Sequence, residues 1–399
     1  MSRINDLIEK MCPNGVNKYI IEDICKVTRG RIISKNELAE KIGEYPVYSS
    51  QTLNNGVFGK INTYDYEGEY VQWTTDGANA GSIFYRNGKF SVTNVCGLLK
   101  IKEKYLKLIR TDYLAYTLSM ESKKYVNYST SNPKLMSNVM SKITVLIPPI
   151  EVQEEIVKIL DKFSELEAEL EAELKQRKRQ YDYYKMQCFE KIKDVKYKHI
   201  TDIASVKARV GWQRLTKAEY LQKGDYYLIT GTDFQTDGNI NFESCVYVTE
   251  ARYNMDENIQ IHKNDILITK DGTLGKVAII EEEPNKPTTL NSGVFRIHIT
   301  AKYILPKYIY HYFTSKYFSD FVESVKTGST IPHLTQQGLV TLNIPIPTIE
   351  EQKRIVNILD KFDRLVNNVS EGLPAEIELR KQQYEYYKDR LLSFKEVTA

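Results

Sequence analysis

Two stretches of the chain place apolar residues at a helical period among charged ones. Ile156, Ile159, Leu160, Phe163, Leu166, Leu170 and Leu174 step by three or four, and Ile355, Ile358, Leu359, Phe362 and Leu365 do the same. One apolar stripe on a charged rod is the pattern of a helix with a packing seam. It predicts one long helix over about 151–190 and another from about 351 to 394. The two are copies: Ile156-Val157-Lys158-Ile159-Leu160-Asp161-Lys162-Phe163 returns as Ile355-Val356-Asn357-Ile358-Leu359-Asp360-Lys361-Phe362, a shift of 199. Further on, Tyr181-Asp182-Tyr183-Tyr184-Lys185 returns as Tyr384-Glu385-Tyr386-Tyr387-Lys388 at a shift of 203. The second copy therefore carries about four extra residues, where Gly372 and Pro374 stand. Similarity this long at a fixed period marks a duplication.

The regions between the helices read as short strands joined by turns, and they repeat too. Tyr45–Tyr48, Glu69–Thr75, Ser82–Tyr85 and Ile143–Ile147 are expected strands of the first region, and Tyr226–Thr230 and Asp265–Thr269 of the second. Each region has one expected helix, Tyr105–Tyr125 and Pro306–Val325, followed by a polar loop. Pro133 and Pro332 in those loops differ by 199, the shift of the long helices. Residues 1–12 form a short helical pattern (Ile4, Leu7, Ile8, Met11) like the segment around Cys188–Ile192, so the repeat reads as circular. The expected architecture is α+β: a globular region at 1–150, a spacer helix at 151–190, a second globular region at 191–347 and a second helix at 348–399. The two helices, about 60 Å long at 1.5 Å per residue, are expected to pair antiparallel as a coiled coil about a pseudo-twofold.

Charge divides along the same boundaries. Residues 1–150 carry 20 basic against 14 acidic side chains, whereas 151–190 carry 7 against 11. Residues 191–347 carry 19 against 17, and 348–399 carry 9 against 10. Basic globular parts with acidic helices suit a protein whose heads meet a polyanion while its helices meet protein. Five dispersed cysteines without a C-x-x-C pair read as free buried thiols. No apolar run approaches the ~18 residues of a membrane span, and the N-terminus has no apolar signal core. The expected location is cytoplasmic.

The sequence holds no phosphate loop, G-x-G-x-x-G, H-E-x-x-H or G-x-S-x-G motif. Asn132-Pro133-Lys134-Leu135 lacks the second proline and the aromatic of an amino-methyltransferase site. What repeats instead is loop chemistry. Thr74-Thr75-Asp76-Gly77-Ala78-Asn79 is matched by Thr269-Lys270-Asp271-Gly272-Thr273, and Ser131-Asn132-Pro133-Lys134 by Thr330-Ile331-Pro332-His333. Arg29, Arg31 and Lys35, then Arg209, Arg214 and Lys217, add cations early in each repeat. Singly, these are turn residues and solvated charges. As a matched set they are the donors that hold phosphates and read base edges. The candidate DNA-binding residues are thus Arg29, Arg31, Lys35, Thr75, Asn79, Ser131, Asn132, Lys134, Arg209, Arg214, Lys217, Lys270, Thr273, Thr330 and His333. The candidate helix-pair or subunit interface is Ile156, Leu160, Phe163, Leu170, Tyr181, Tyr184, Ile355, Leu359, Phe362, Tyr384 and Tyr387. No catalytic or metal-binding residue is expected.

On the twin Pro-Pro/Pro-Thr-Ile-Glu-x-Gln-x-x-Ile-Val-x-Ile-Leu-Asp-Lys-Phe helices (Pro148–Phe163, Pro347–Phe362) and the paired Asp-Gly loops, the chain resembles the DNA specificity subunit of type I restriction-modification systems. The resemblance implies two mixed α/β target-recognition domains, each reading one half of a split, asymmetric site in double-stranded DNA. It implies helices that set the spacing and dock two methyltransferase subunits, with endonuclease subunits joining through them. S-adenosylmethionine, ATP and Mg would belong to those partners, leaving this chain without cofactor. The loops around Asn132-Pro133 and Ile331-Pro332 vary in such proteins, so no base is assigned to them. Two other readings compete: a coiled-coil adaptor with protein-binding ends, and a stand-alone methyltransferase, which would need a cofactor motif.

Overall fold

The structure is a computed structural model that describes residues 2–129, 131–192, 195–211, 215–328, 332–368 and 371–397. It divides into two compact units, Met1–Ala168 with Arg380–Ala399, and Glu169–Leu379. Both boundaries fall within helical stretches, so each unit is a globular head plus parts of both long helical segments. Among the described residues, no helix is long and apolar enough to cross a membrane.

In the first unit, Asn17–Ile20 pairs antiparallel with Thr144–Ile147, so the strand entering the head lies against the strand leaving it. An antiparallel sheet follows in the order Cys25–Arg29, Cys96–Ile101, Tyr70–Thr74, Ile83–Arg86. Tyr70–Thr74 is buried at all five positions, and its two polar members, Gln72 and Thr74, are buried along with Tyr70, Val71 and Trp73. A second sheet runs Val57–Ile61, Ile42–Tyr48, Lys89–Val92, Tyr66–Glu67, with its central pair parallel. Thr111–Glu121 is the head's helix, shorter than the expected Tyr105–Tyr125. Ser2–Met11 joins the same core, with Ile4 packed in one cluster with Leu391 and Leu392. The last residues lie beside the first strand: Val16 N–H donates to Lys395 O at 2.8 Å, and Val397 N–H donates to Val16 O at 3.1 Å.

The second unit repeats this topology. Lys196–His199 pairs with Asn343–Ile346, and the antiparallel sheet runs Ala204–Ala208, Val294–Ile299, Ile266–Thr269, Val277–Ile279. The other sheet has three strands, Val246–Val248, Tyr226–Ile229 and Thr288–Leu290, and the last two are again parallel. The expected helix Pro306–Val325 is interrupted at Thr314-Ser315, giving Pro306–Phe313 and Lys316–Val325. The heads are therefore two copies of one fold.

Ile150–Glu190 is one unbroken helix of 41 residues. The second copy is not, which corrects the expectation of a single helix to residue 394. It forms Ile349–Val366 and Leu373–Leu392. A proline inside a helix lacks the N–H and clashes with the preceding turn, so Pro374 is tolerated only in the first turn of a new one. A Cβ on Gly372 would sit 2.5 Å from Arg364 O and 2.7 Å from Leu365 O, so only glycine lets the chain turn this tightly over the helix end. The extra residues of the second copy are this break.

Within each unit the helical segments run antiparallel and meet through rings. In the first, Phe163 stacks on Tyr387 with centroids 5.4 Å apart and lies 6.5 Å from Tyr384, while Lys381 pairs with Glu167 at 3.5 Å. In the second, Phe362 stacks on Tyr181 at 6.1 Å and on Tyr184 at 5.3 Å. The apolar stripe has a further role. Ile156 and Leu160 are fully buried in the first head's core with Tyr113 and Leu114, and Ile355 and Leu359 in the second head's with Tyr308 and Ile309. Leu170 is half-buried.

Each helix is joined to its head by one buried amide. Gln153 Oε1 accepts from Arg110 N at 2.9 Å, and Nε2 donates to Leu108 O at 2.8 Å and Pro148 O at 2.7 Å. Gln352 Oε1 accepts from Leu305 N at 2.9 Å, and Nε2 donates to Tyr303 O at 3.1 Å and Pro347 O at 3.0 Å. Arg110 and Leu305 are the residues that precede the heads' helices. The second unit also buries an amine at the far end of helix Pro306–Phe313. Lys185 Nζ lies 4.0 Å from the Tyr181 ring centre and donates to Thr314 Oγ1 at 3.0 Å. Desolvation pulls its pKa from 10.5 down to about 8.

Two outcomes follow for stability. Leu160→Ala and Leu359→Ala should each cost about 2–5 kcal/mol in urea unfolding, the range for a large core side chain; losses below about 0.5 kcal/mol would show that the stripe is not packed. Lys185→Met should stabilise the second unit by about 3 kcal/mol at pH 7, where the folded chain holds a desolvated charge. Between pH 8 and 10.5 the folded state sheds a proton that the unfolded state keeps, so wild-type stability rises through that window and the advantage of the variant fades. An advantage that stays constant with pH would contradict the buried charge.

Candidate nucleic-acid interface

In the first head, the residues after strand Tyr70–Thr74 are clasped to the loop before Ser137–Met140. Gly77 N–H donates to Pro133 O at 3.0 Å and Leu135 N–H to Thr75 O at 2.9 Å. Asn127 and Lys134 exchange backbone bonds of 2.8 and 3.1 Å, adding a third rung. Trp73, fully buried, donates Nε1–H to Leu135 O at 3.0 Å and fixes the clasp to the sheet. Gly77 has φ +95, a left-handed turn that suits glycine. Arg29 braces the turn from below: its Nη2 donates to Thr75 Oγ1 at 2.9 Å, to Asn94 O at 2.8 Å and to Asp76 Oδ2 at 3.3 Å. Ser131, Asn132 and Lys134 are left exposed on the outer side. Asn79 Nδ2 donates to Ser50 O at 3.0 Å and brings in a third loop.

The second head builds the same clasp with other side chains. Leu334 N–H donates to Lys270 O at 2.9 Å, and Thr327 and His333 exchange bonds of 2.9 and 2.8 Å. Gly272 is left-handed, with φ +73. Where the first head has Arg29 beneath Asp76, here His333 Nδ1 meets Asp271 Oδ1 directly at 2.6 Å. Thr273 is exposed at the turn, and its carbonyl accepts from Thr269 Oγ1 at 2.5 Å. Lys270 is half-buried, its Nζ 5.5 Å from the centre of the Phe295 ring.

Several sequence candidates belong to this scaffold and not to a binding surface. Thr75 is fully buried, and its hydroxyl donates to Asp76 Oδ2 at 2.5 Å. Arg209 is buried too, donating Nε–H to Leu290 O at 2.8 Å and Nη2–H to Thr289 Oγ1 at 3.2 Å. Burial and the nearby Arg252 lower its pKa. It follows strand Ala204–Ala208 directly and turns inward, which spacing along the chain could not show. Arg31 is half-exposed but committed to Glu37, at 2.9 Å through both nitrogens, and to Asp65 at 3.0 Å. Its guanidinium, with Lys41, pulls the Glu37 carboxyl down to about 2. Lys35 and Lys217 are exposed. Arg214 and Thr330 lie outside the described residues. Sequence reasoning also missed Gln153 and Gln352, although their recurrence at a shift of 199 was available as a signal. It missed Arg86, which no repeat marks.

Two heads of one fold, each mounted on a helix start and each presenting a clasped pair of polar loops, define a duplicated recognition protein. The chain belongs to the family described as type I restriction modification DNA specificity domain, which it matches over residues 13–177 and 192–379. It is 32% identical over 384 residues to the putative type I specificity subunit S.MpnORF507P of Mycoplasma pneumoniae, covering 95% of this chain and 98% of that one. It is 43% identical over 182 residues to the type I restriction enzyme MpnII specificity subunit of the same organism, covering 45% of this chain and 54% of that one. The crystal structure of a type I restriction-modification S subunit from M. genitalium shares the fold, with a TM-score of 0.55 at 15% identity over 95% of this chain and 96% of that one.

The clasp can be tested directly. Trp73→Phe removes the indole donor and leaves Leu135 O unpaired, so it should cost about 1–3 kcal/mol. Amide exchange at Gly77, Asn127 and Leu135 should accelerate above that of the sheet. Unchanged protection at those three amides would show that the loops are not held by the tryptophan.

Proposed function

We propose that this chain is the sequence-reading, non-catalytic subunit of a type I restriction-modification complex. Each head reads one half of a divided, asymmetric site in double-stranded DNA. The long helical segments, paired antiparallel as a coiled coil interrupted in its second strand, set the distance between the half-sites. They also dock the methyltransferase subunits, two per chain, through which endonuclease subunits join. Methyl transfer from S-adenosylmethionine and ATP- and Mg-dependent cleavage are assigned to those partner chains, and the complex is assigned to the cytoplasm.

The observation that carries this reading is the clasp itself. The same backbone ladder recurs on both heads, yet the side chains it presents differ: Ser131, Asn132 and Lys134 on one, Thr273, His333 and Lys270 on the other. A conserved frame with altered polar tips is what two readers of different sequences need, because phosphate contacts position and base contacts specify. The unequal charge of the heads fits half-sites of different composition.

Binding of duplex DNA by the full chain with its methyltransferase partner should weaken steeply between about 50 and about 200 mM salt. Lys35→Ala and Lys217→Ala should each flatten the slope of log affinity against log salt by about 1 without changing the preferred sequence. Arg209→Ala should lower stability and leave the slope alone. Salt-insensitive binding with no sequence preference would favour the coiled-coil adaptor.

A further inference from the structure

The hairpin between strands Ile42–Tyr48 and Val57–Ile61 carries a device that the residues above do not explain. Asn54, Asn55 and Gly56 at its tip all have left-handed backbone, with φ 51, 49 and 77. Asparagine tolerates this conformation better than most residues, but two in succession persist only where the surroundings hold them. Leu53 beside them is 82% exposed. Beneath the tip lies Arg86, only 2% exposed. Its guanidinium carbon sits 3.6 Å from the centre of the Tyr48 ring and 4.5 Å from that of Phe84. Nε–H donates to Gln72 Oε1 at 2.7 Å, Nη1–H to Asn55 Oδ1 at 3.0 Å and Nη2–H to Asn55 O at 2.9 Å.

None of these acceptors is a carboxylate. Desolvation lowers the pKa of Arg86 to about 10, which leaves it charged at neutral pH. Among the described residues no carboxylate pairs with Arg86, and a buried cation in that state is costly, so its presence needs a return. What it holds is the hairpin tip, and the base of the hairpin loop adjoins the clasp, where Asn79 Nδ2 donates to Ser50 O at 3.0 Å. The second head has a different arrangement after its matching strand Tyr226–Ile229. There buried Asp233 accepts from Thr230 N at 2.7 Å and from Ser244 Oγ at 2.9 Å.

The geometry points to Leu53–Asn55 as an additional DNA-reading element of the first head, with Arg86 as its positioning residue. This rests on the reading of the heads as DNA readers. The ligand chemistry is that of a duplex: Asn54 offers the amide pair that matches an adenine edge, and Leu53 an apolar contact for a thymine methyl group. The unneutralised guanidinium behind them favours a polyanion over a neutral or cationic partner.

The test is selection from a random duplex library by the full chain with its methyltransferase partner. Wild type should enrich a two-part sequence. A Leu53→Ala/Asn54→Ala double variant, altered only at the exposed tip, should bind that sequence about tenfold more weakly and lose base preference in one half alone. Arg86→Lys keeps the charge but not the fork and should lose preference at the same positions. A double variant that enriches the wild-type sequence with wild-type affinity overturns the proposal. So does an Arg86→Lys chain with preference intact, since the tip would then need no positioning. A wild-type chain that enriches nothing overturns the DNA reading itself, and the hairpin's role with it.

Discussion

Gln153 and Gln352 are fully buried, and each makes three hydrogen bonds to backbone groups that have few alternatives. A buried N–H or C=O without a partner costs about 1–3 kcal/mol, so one side chain here answers for several such debts at the point where a helix leaves its head. The amide ties the first turn of the long helix to the turn that opens the head's own helix. Tyr113 O–H on Leu146 O at 3.2 Å and Tyr308 O–H on Pro345 O at 2.5 Å brace the same corner from the other side. With that corner fixed, the direction of each head on its own helix is no longer free, and loops at the far edge of the head are presented at a defined angle.

Above this corner the two units share a frame and differ most in their loops. The sheets keep their strand order, and the parallel pairing of Ile42–Tyr48 with Lys89–Val92 recurs as Tyr226–Ile229 with Thr288–Leu290. The loops keep their backbone ladder but exchange side chains: an Arg29–Asp76 brace on one head, a His333–Asp271 contact on the other. Loops on a rigid frame can change what they touch without endangering the core. Fold alone would not say what they touch; the chemistry of the tips does.

Much of this was legible in the sequence because it is periodic or repeated. A stripe of apolar residues from Ile156 to Leu174 leaves little ambiguity, and loops that recur at a shift of 199 announce equivalent places. Arg209 and Thr75 looked like binding residues by type and position, but each directly follows a strand end and turns inward onto partners distant in sequence, Leu290 and Thr289 for Arg209 and Arg29 for Thr75. The helix break at Gly372 was visible as an insertion, and its consequence depended on the close approach of Arg364 O and Leu365 O. Arg86 was hidden because nothing local marks a buried guanidinium; its partners Gln72, Asn55 and Tyr48 come from three other segments.

One chain with two recognition domains of unlike loop chemistry is proposed to read two unlike half-sites. Sequencing the methylated bases of cells that make this chain with its methyltransferase partner tests it most directly. The account predicts one motif, divided into two unlike halves by a gap of constant length and unspecified sequence. A continuous motif, two independent motifs, or methylation without sequence preference would contradict it.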